Sequence, residues 1–330
     1  MQTLLEFLKM KNKSAIILLL FITAMSFRSF GQQPHGIFWS PELRLNPALT
    51  GVMTGKWRLM ENHRSQTFNE GGTLQWNTLS ADFRKEIIKK SGGYGLVMDE
   101  ATGNTFGFGV MDDRRRSDSA GAEYIADYFS FSYRHAFKKS TFGFGIQPGY
   151  MRSEAEKKFD INAGLLWGSG SIYCWQEDQI FKNQIGIAAY NILSDWADTA
   201  VLPGREIQAH AGFLIKKIEQ VNFVVNGLYR YNGTSDFAIG TYAIFFPIVH
   251  YAYWDRARLG LHYRSSNHLT WSAGLRFYGR GKKTFTLDGT ISYDMPMKFL
   301  DFESKYKNAW EIGIVITRFE KCWSTDKCGN

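Results

Sequence analysis

The chain has 330 residues, of which 44% are apolar, and its mean hydropathy of -0.27 excludes a helical membrane protein with several spans. Aromatic residues make up 16% of the chain, and it contains 32 glycines. This composition is typical of the alternating strands of a membrane β-barrel, although soluble β-proteins can share it. The formal net charge is +8, and how much of it belongs to the mature protein depends on the N-terminus.

Residues 1–31 are predicted to be a secretory signal peptide. Three lysines precede the apolar run at residues 15–25, which is too short to span a bilayer as a helix, and Ser29 and Gly31 precede a cut at Gln32. Removing the leader's four Lys or Arg residues and one Glu leaves 35 basic and 30 acidic residues, a net charge of +5. So mild a charge does not support a nucleic-acid partner. The alternative is an uncleaved N-terminal anchor.

Residues 32–55 form a separate segment, because they hold three of the seven prolines. Proline removes a backbone donor and disfavours helix before it, so this segment is predicted to be irregular or extended, either in the periplasm or as a plug.

From residue 56 to residue 320 the sequence alternates between apolar and polar residues. In residues 285–294 the apolar positions begin with Phe285 and Leu287, and the polar positions include Asp288 and Asp294. Successive side chains of a strand point to opposite faces, so each such segment has one apolar and one polar face. In residues 141–146 the second face carries glycines, which leave little side chain where the wall is crowded.

We predict an all-β fold: a single transmembrane antiparallel β-barrel of about 14 strands. The number of alternating segments is 14 or 15, and single-chain bacterial barrels have even counts. Short polar joints such as Asn232-Gly233 suit antiparallel hairpins. The alternative is an exported β-sandwich, but segments of ten residues, aromatic segment ends and charged inner faces favour the barrel. A polar tail, residues 321–330, follows it.

No catalytic or cofactor motif is present. The seven histidines are scattered singly, and His210 and His262 are predicted to face the lumen. Cys322 and Cys328 in the tail can close a small disulfide loop in an exported protein, whereas a metal site needs more ligands. The charged run at residues 112–118 is interpreted as a solvated turn after a strand, with a loop that grips a partner or an anion as the alternative. We therefore predict no enzyme, cofactor or metal site.

The start of the mature chain carries a more specific signal. Residues 36–51 read GIFWSPELRLNPALTG, and a strand with Arg64 and Gln66 follows. This segment resembles the PorP/SprF family of outer-membrane proteins of the type IX secretion system of Bacteroidota. The matching positions are Phe38, Asn46, Pro47, Ala48, Gly51, Arg64 and Gln66.

Further elements resemble the family downstream. Asp82 and Asp294 stand in its S-x-D and Y-D strand endings, and Glu311 stands in its closing strand. The chain departs from the family by Ser40-Pro41 in place of a tandem asparagine-proline, and by the absence of Trp after Gln66.

The resemblance implies a non-enzymatic outer-membrane barrel of the type IX secretion system. Its partners would be a secreted cargo protein with a C-terminal signal domain, such as a gliding adhesin, other components of the secretion system, and outer-membrane lipid. The motif at residues 46–51 either shapes a periplasmic loop or plug, or docks passing or anchored cargo. The alternatives are a channel or transporter for small or hydrophobic solutes, and a barrel enzyme that acts on lipids.

Overall fold

A computed structural model describes twelve stretches of the chain that together contain the barrel wall and part of the N-terminal segment. They are residues 42–53, 55–88, 103–118, 122–137, 140–154, 156–171, 181–194, 203–218, 221–245, 254–278, 285–297 and 306–318. The predicted signal peptide, Phe38, the tail with Cys322 and Cys328, and Cys174 lie outside the described residues. Within these stretches no helix is long and apolar enough to cross a membrane.

Fourteen antiparallel strands close into one barrel, in which each strand pairs with its neighbours in sequence and β1 pairs with β14. Their bounds are β1 Trp57–Phe68, β2 Thr73–Ile88, β3 Gly103–Ser117, β4 Ala122–Ala136, β5 Ser140–Ser153, β6 Lys157–Ser171, β7 Phe181–Tyr190, β8 Glu206–Ile218, β9 Val221–Tyr231, β10 Ser235–Phe245, β11 Trp254–Arg264, β12 His268–Tyr278, β13 Phe285–Pro296 and β14 Tyr306–Arg318. The predicted fold class and the even count are confirmed.

The alternation of side chains along each strand gives the closed wall one apolar and one polar face. On β13, Leu287, Ile291 and Tyr293 are about half exposed, whereas Asp288 and Asp294 are buried. Apolar side chains therefore face outward toward lipid, and polar ones face the lumen, as predicted. His210 and His262 also face the lumen and are buried.

The start of β1 and the end of β14 lie at the same rim of the barrel, because Trp57 pairs with Arg318. We call this rim the terminal end and the opposite rim the far end. Turns at residues 69–72, 232–234 and 265–267 lie at the far end and join consecutive strands, which confirms Asn232-Gly233 as a hairpin joint.

The described part of the N-terminal segment is helical in two places, so the prediction that it is irregular or extended was wrong. Helix α1 spans Glu42–Leu45, and a 3-10 helix spans Pro47–Leu49. The physical reason is that proline at the first helical position needs no backbone donor and has a suitable φ. Asn46 caps the 3-10 helix by accepting a hydrogen bond from the Ala48 amide.

The charged run at residues 112–118 is not a turn after a strand, because β3 continues through it to Ser117. Its side chains alternate: Asp113 is buried in the lumen, whereas Arg114 is 55% exposed on the outer face. Asp82 likewise lies well inside β2 instead of at a strand ending. In both places the strand continues past its last apolar outward residues, so a run of polar residues in the sequence does not mark the end of the strand.

Candidate partner-contact site: the plug and its seat

Residues 42–53, which we call the plug, cross the lumen and contact the inner faces of β1–β8. Leu43 at one side of the plug packs in a buried cluster with Met60, Met111, Tyr128 and other inward side chains. Ala48 and Leu49 pack at the other side, against Leu166. Burial of these apolar groups holds the plug against the wall, and each fully buried side chain contributes about 1.5–3 kcal/mol.

Asn46 ties the plug to three strands. Its Nδ2 donates to the carbonyl oxygens of Leu165 at 3.0 Å and Ile187 at 3.3 Å, and lies 3.1 Å from Nε2 of His210. Its Oδ1 accepts from the amide of Ala48 at 2.8 Å. Both polar atoms of this side chain therefore form hydrogen bonds inside the barrel, and an amide of this length supplies the donor and the acceptor that these contacts need.

Four inward glycines allow the plug backbone to touch the wall. A Cβ at Gly145 would clash with the carbonyl group of Pro47, and a Cβ at Gly107 would clash with that of Thr50. At Gly164 and Gly186 it would strike Asn46. We call Gly107, Gly145, Gly164 and Gly186 the glycine seat. The predicted role of inward glycines, to leave room at a crowded wall, is confirmed at Gly145, and the plug is what occupies the room.

Gly51 is held where its backbone turns back toward β1. Its φ of +67° is in the left-handed region, and a Cβ there would lie 2.9 Å from the Cα of Gly107. Its amide donates to Oδ2 of Asp82 at 2.6 Å. Asp82 also accepts from Arg58 at 2.8 Å and 3.0 Å, and Arg58 in turn pairs with Glu42. One carboxylate of the wall thus fixes both the plug and an arginine that holds the plug's first residue.

The carbonyl groups after the 3-10 helix are bound by Arg134 of β4. Its guanidinium donates to the carbonyl oxygen of Thr50 at 2.6 Å and to that of Gly51 at 2.9 Å. Ser132 donates to the Thr50 carbonyl as well, at 2.6 Å, and the hydroxyl groups of Thr50 and Ser130 are 2.5 Å apart. The plug backbone is therefore anchored by side chains of the wall.

Arg44 points from the plug into an aromatic and acidic pocket. Its guanidinium carbon lies 5.5 Å from the ring centre of Trp76 and 5.2 Å from that of Tyr190, and its Nε is 3.8 Å from Asp113. Burial alone would lower the pKa of Arg44, but Asp113, followed by Glu206, raises it above its usual value. Arg44 is therefore a fixed cation.

Arg64 and Gln66 lie on β1 but belong to another part of the lumen. Arg64 is buried and pairs with Asp294 at 2.6 Å and Glu311 at 3.5 Å. Gln66 is also buried, two residues further toward the far end. The structure therefore brings Asn46, Pro47, Ala48 and Gly51 together in the plug and places Arg64 and Gln66 in a separate cluster.

Sequence reasoning does not identify most of the contacts in the lumen. The family resemblance points to Asp82 beside the plug and to Asp294 and Glu311 in the Arg64 cluster, but not to their partners. Arg58, Arg134 and Asp113 each occupy a polar position in an alternating strand, and that pattern identifies only the face and not the contact.

The sequence profile of the family described as type IX secretion system membrane protein PorP/SprF matches residues 35–316. The chain belongs to the PorP/SprF family. It is accordingly an outer-membrane β-barrel of the type IX secretion system. No curated protein matches the chain.

Solved structures of other barrels are similar to this PorP/SprF chain at low identity. The toluene transporter TodX of Pseudomonas putida has a TM-score of 0.48 at 9% identity, with 88% of this chain and 94% of that chain covered. Omp33 of Acinetobacter baumannii has a TM-score of 0.42 at 8% identity, with 80% and 98% covered. The β-domain of the Bordetella autotransporter BrkA has a TM-score of 0.41 at 9% identity, with 81% and 99% covered.

Proposed function

We propose that this barrel holds a secreted cargo protein at the cell surface by the cargo's type IX C-terminal signal domain, as for a gliding adhesin, and so supports its secretion or anchoring. The anchored plug carries the proposal. Because its backbone is bound by Asp82 and Arg134 and seated on glycines, the barrel is organised as a rigid support for a partner. Membership of the PorP/SprF family is the reason for assigning this role to the type IX secretion system.

The far end of the barrel is the surface that we assign to the cargo. An even number of strands puts the start of β1 and the end of β14 on one side, and placing that side in the periplasm exposes the far-end turns at the cell surface. The turns at residues 69–72, 191–194, 232–234 and 265–267 lie there. Other components of the secretion system, which family membership implies as partners, would meet the terminal end.

Site-specific photo-crosslinking in intact cells tests the proposal. A photoreactive residue replaces Glu70, which is exposed in the far-end turn at residues 69–72, and the matched control replaces Leu287, which is 46% exposed on the outer wall. We expect position 70, and not position 287, to yield an adduct whose mass spectrum identifies a protein with a type IX C-terminal signal domain. No such adduct from any of the far-end turns, with the barrel folded, would contradict the proposal.

The two alternatives predict other results. A solute channel predicts ion conductance or solute flux across planar bilayers that contain the purified barrel, together with normal cargo at the surface of a deletion strain. A lipid-modifying enzyme predicts turnover of lipid esters that is lost when His262 is replaced by Ala.

A further inference from the structure

The outer face of β1–β4 has a shallow groove of about 430 Å³. Its floor is Ala81, whose neighbours across the strands are Leu59 and Val110, and Phe129 follows next to Val110. Leu59 is 37% exposed and Phe129 is 70% exposed, so the larger side chains stand out on either side of the small alanine. We call this feature the lateral groove. It lies on the lipid-facing side of the wall, and the row of side chains along it is apolar.

The adjacent row of side chains, one step toward the far end, is acidic. Asp112 of β3 is directly opposite Asp127 of β4, and both line the lateral groove. Because the two residues are cross-strand partners on the same face, their carboxyl groups are neighbours. Like charges directly opposite each other across two strands destabilise a sheet unless a cation or a proton lies between them.

Two arginines follow in the next row. Arg114 donates from Nε to Asp112 at 2.8 Å, and Ile125 separates Arg114 from Arg152 of β5 in register. Both side chains are on the outer face. The rim of the lateral groove therefore presents paired carboxylates beside guanidinium groups, which complements a head group that carries an ammonium next to a phosphate.

We propose that the lateral groove binds a phospholipid whose head group carries a primary ammonium, with one acyl chain along Ala81 and the ammonium between Asp112 and Asp127. Arg114 and Arg152 contact the phosphate. The ammonium supplies a second positive charge and three hydrogen-bond donors to this pair of carboxylates, of which Asp112 already accepts from Arg114. A quaternary ammonium supplies the charge without donors, and a glycerol head group supplies no charge.

Native mass spectrometry of the detergent-purified barrel tests the proposal with three probes: phosphatidylethanolamine, phosphatidylcholine and phosphatidylglycerol of identical acyl chains. We expect phosphatidylethanolamine to bind about fivefold more tightly than either other lipid, which is near the upper range for an exposed ion pair. Asp127→Asn should abolish this preference. Glu123→Gln, which removes an exposed carboxylate four residues away on the same strand, should leave it unchanged.

A steric pair of variants tests the acyl-chain part. Ala81→Phe fills the floor of the lateral groove, and Ala273→Phe changes an outward alanine between Leu259 and Ile291 on β12, four strands away. We expect Ala81→Phe to weaken binding of all three lipids and Ala273→Phe to have no effect. Equal binding of the three lipids, or a preference that survives both Asp127→Asn and Ala81→Phe, would overturn the proposal and assign the acidic rim to a basic side chain of a protein partner.

Discussion

Two arginines on β1, six residues apart, show how differently the two sides of the lumen are filled. Arg58 turns toward the plug, where it pairs with Asp82 of β2 and with Glu42. Arg64 turns the other way and pairs with Asp294 of β13 and Glu311 of β14. We call β2–β8 the plug sector and β9–β14 the ion-pair sector. The first uses its polar groups to hold another segment of the chain.

The ion pairs of the ion-pair sector run from strand to strand of the wall. Arg258 of β11 and Arg276 of β12 both pair with Asp288 of β13, at 3.3 Å and 2.6 Å, and Arg230 pairs with Glu206 of β8 and Asp236 of β10. Such pairs join adjacent or next-but-one strands. Buried charge is thus used in one sector to fix a backbone segment and in the other to cross-link the wall, which predicts that mutations in the two sectors have different consequences.

The largest effects should come from the two arginines of β1. Arg58→Met and Arg64→Met each remove an arginine from a group of buried carboxylates, so each should lower the free energy of unfolding by about 3–5 kcal/mol. Only Arg58→Met should also release the plug. Urea denaturation in lipid vesicles measures the first effect, and maleimide labelling of a cysteine placed at Thr50, with Cys174, Cys322 and Cys328 replaced by Ser, measures the second. Equal labelling of the two variants would contradict the division into sectors.

The glycine seat should be nearly as sensitive. Gly145→Ala places a methyl group on the carbonyl of Pro47, whereas Gly289→Ala places one where nothing lies within 4 Å. We expect the first change to cost about 1–3 kcal/mol, as overpacking does, and the second to stay within about 0.5 kcal/mol. Thermal unfolding of the two variants in the same detergent checks this. A cost at Gly289 as large as that at Gly145 would show that the seat has no special role.

Asn46→Ala should act on the plug alone. It removes the cap of the 3-10 helix and the bonds to Leu165 and Ile187, and we expect a loss of about 1–2 kcal/mol, because the carbonyl groups it leaves keep their strand partners. Gln66→Ala, in the other cluster of family residues, is the control. Hydrogen exchange should show faster exchange at the Ala48 amide in Asn46→Ala and no change there in Gln66→Ala.

The smallest expected effect is a difference in stability between variants of two adjacent arginines in the charged run of β3. Arg115 faces the lumen with its guanidinium carbon 3.7 Å from the ring centre of Trp76, and Arg114 faces outward. Arg115→Ala should cost about 1–2 kcal/mol and Arg114→Ala no more than about 0.5 kcal/mol, measured in detergent without added lipid. The reverse order would mean that Arg114 faces the lumen and Arg115 faces outward, which would contradict the register of β3.

The sequence was sufficient to predict the wall, because a period of two is visible in single segments such as residues 285–294. The contacts between side chains in the lumen could not be predicted from the sequence. Arg64 and Asp294, for example, are 230 residues apart, and their pairing depends on the closure of the barrel between β1 and β14.

The errors have one physical origin. Tertiary contacts in the lumen replace water as the partner of polar groups, so a proline-rich segment became helical inside the barrel and a charged run became part of a strand. Local composition predicts secondary structure well where polar groups have only water as a partner. It fails at Asp113, which accepts hydrogen bonds from Trp76 and Thr78 in the lumen.

A reversible lock on the plug tests the central claim most directly. Thr50 and Ser130 have hydroxyl groups 2.5 Å apart, so cysteines at both positions, in a background without the native cysteines, can form a disulfide. If the barrel holds cargo while the plug stays seated, oxidation of the pair in intact cells will leave the amount of cargo at the cell surface equal to that of each single-cysteine control. Loss of surface cargo on oxidation, restored by reduction, would contradict the account and make movement of the plug part of secretion.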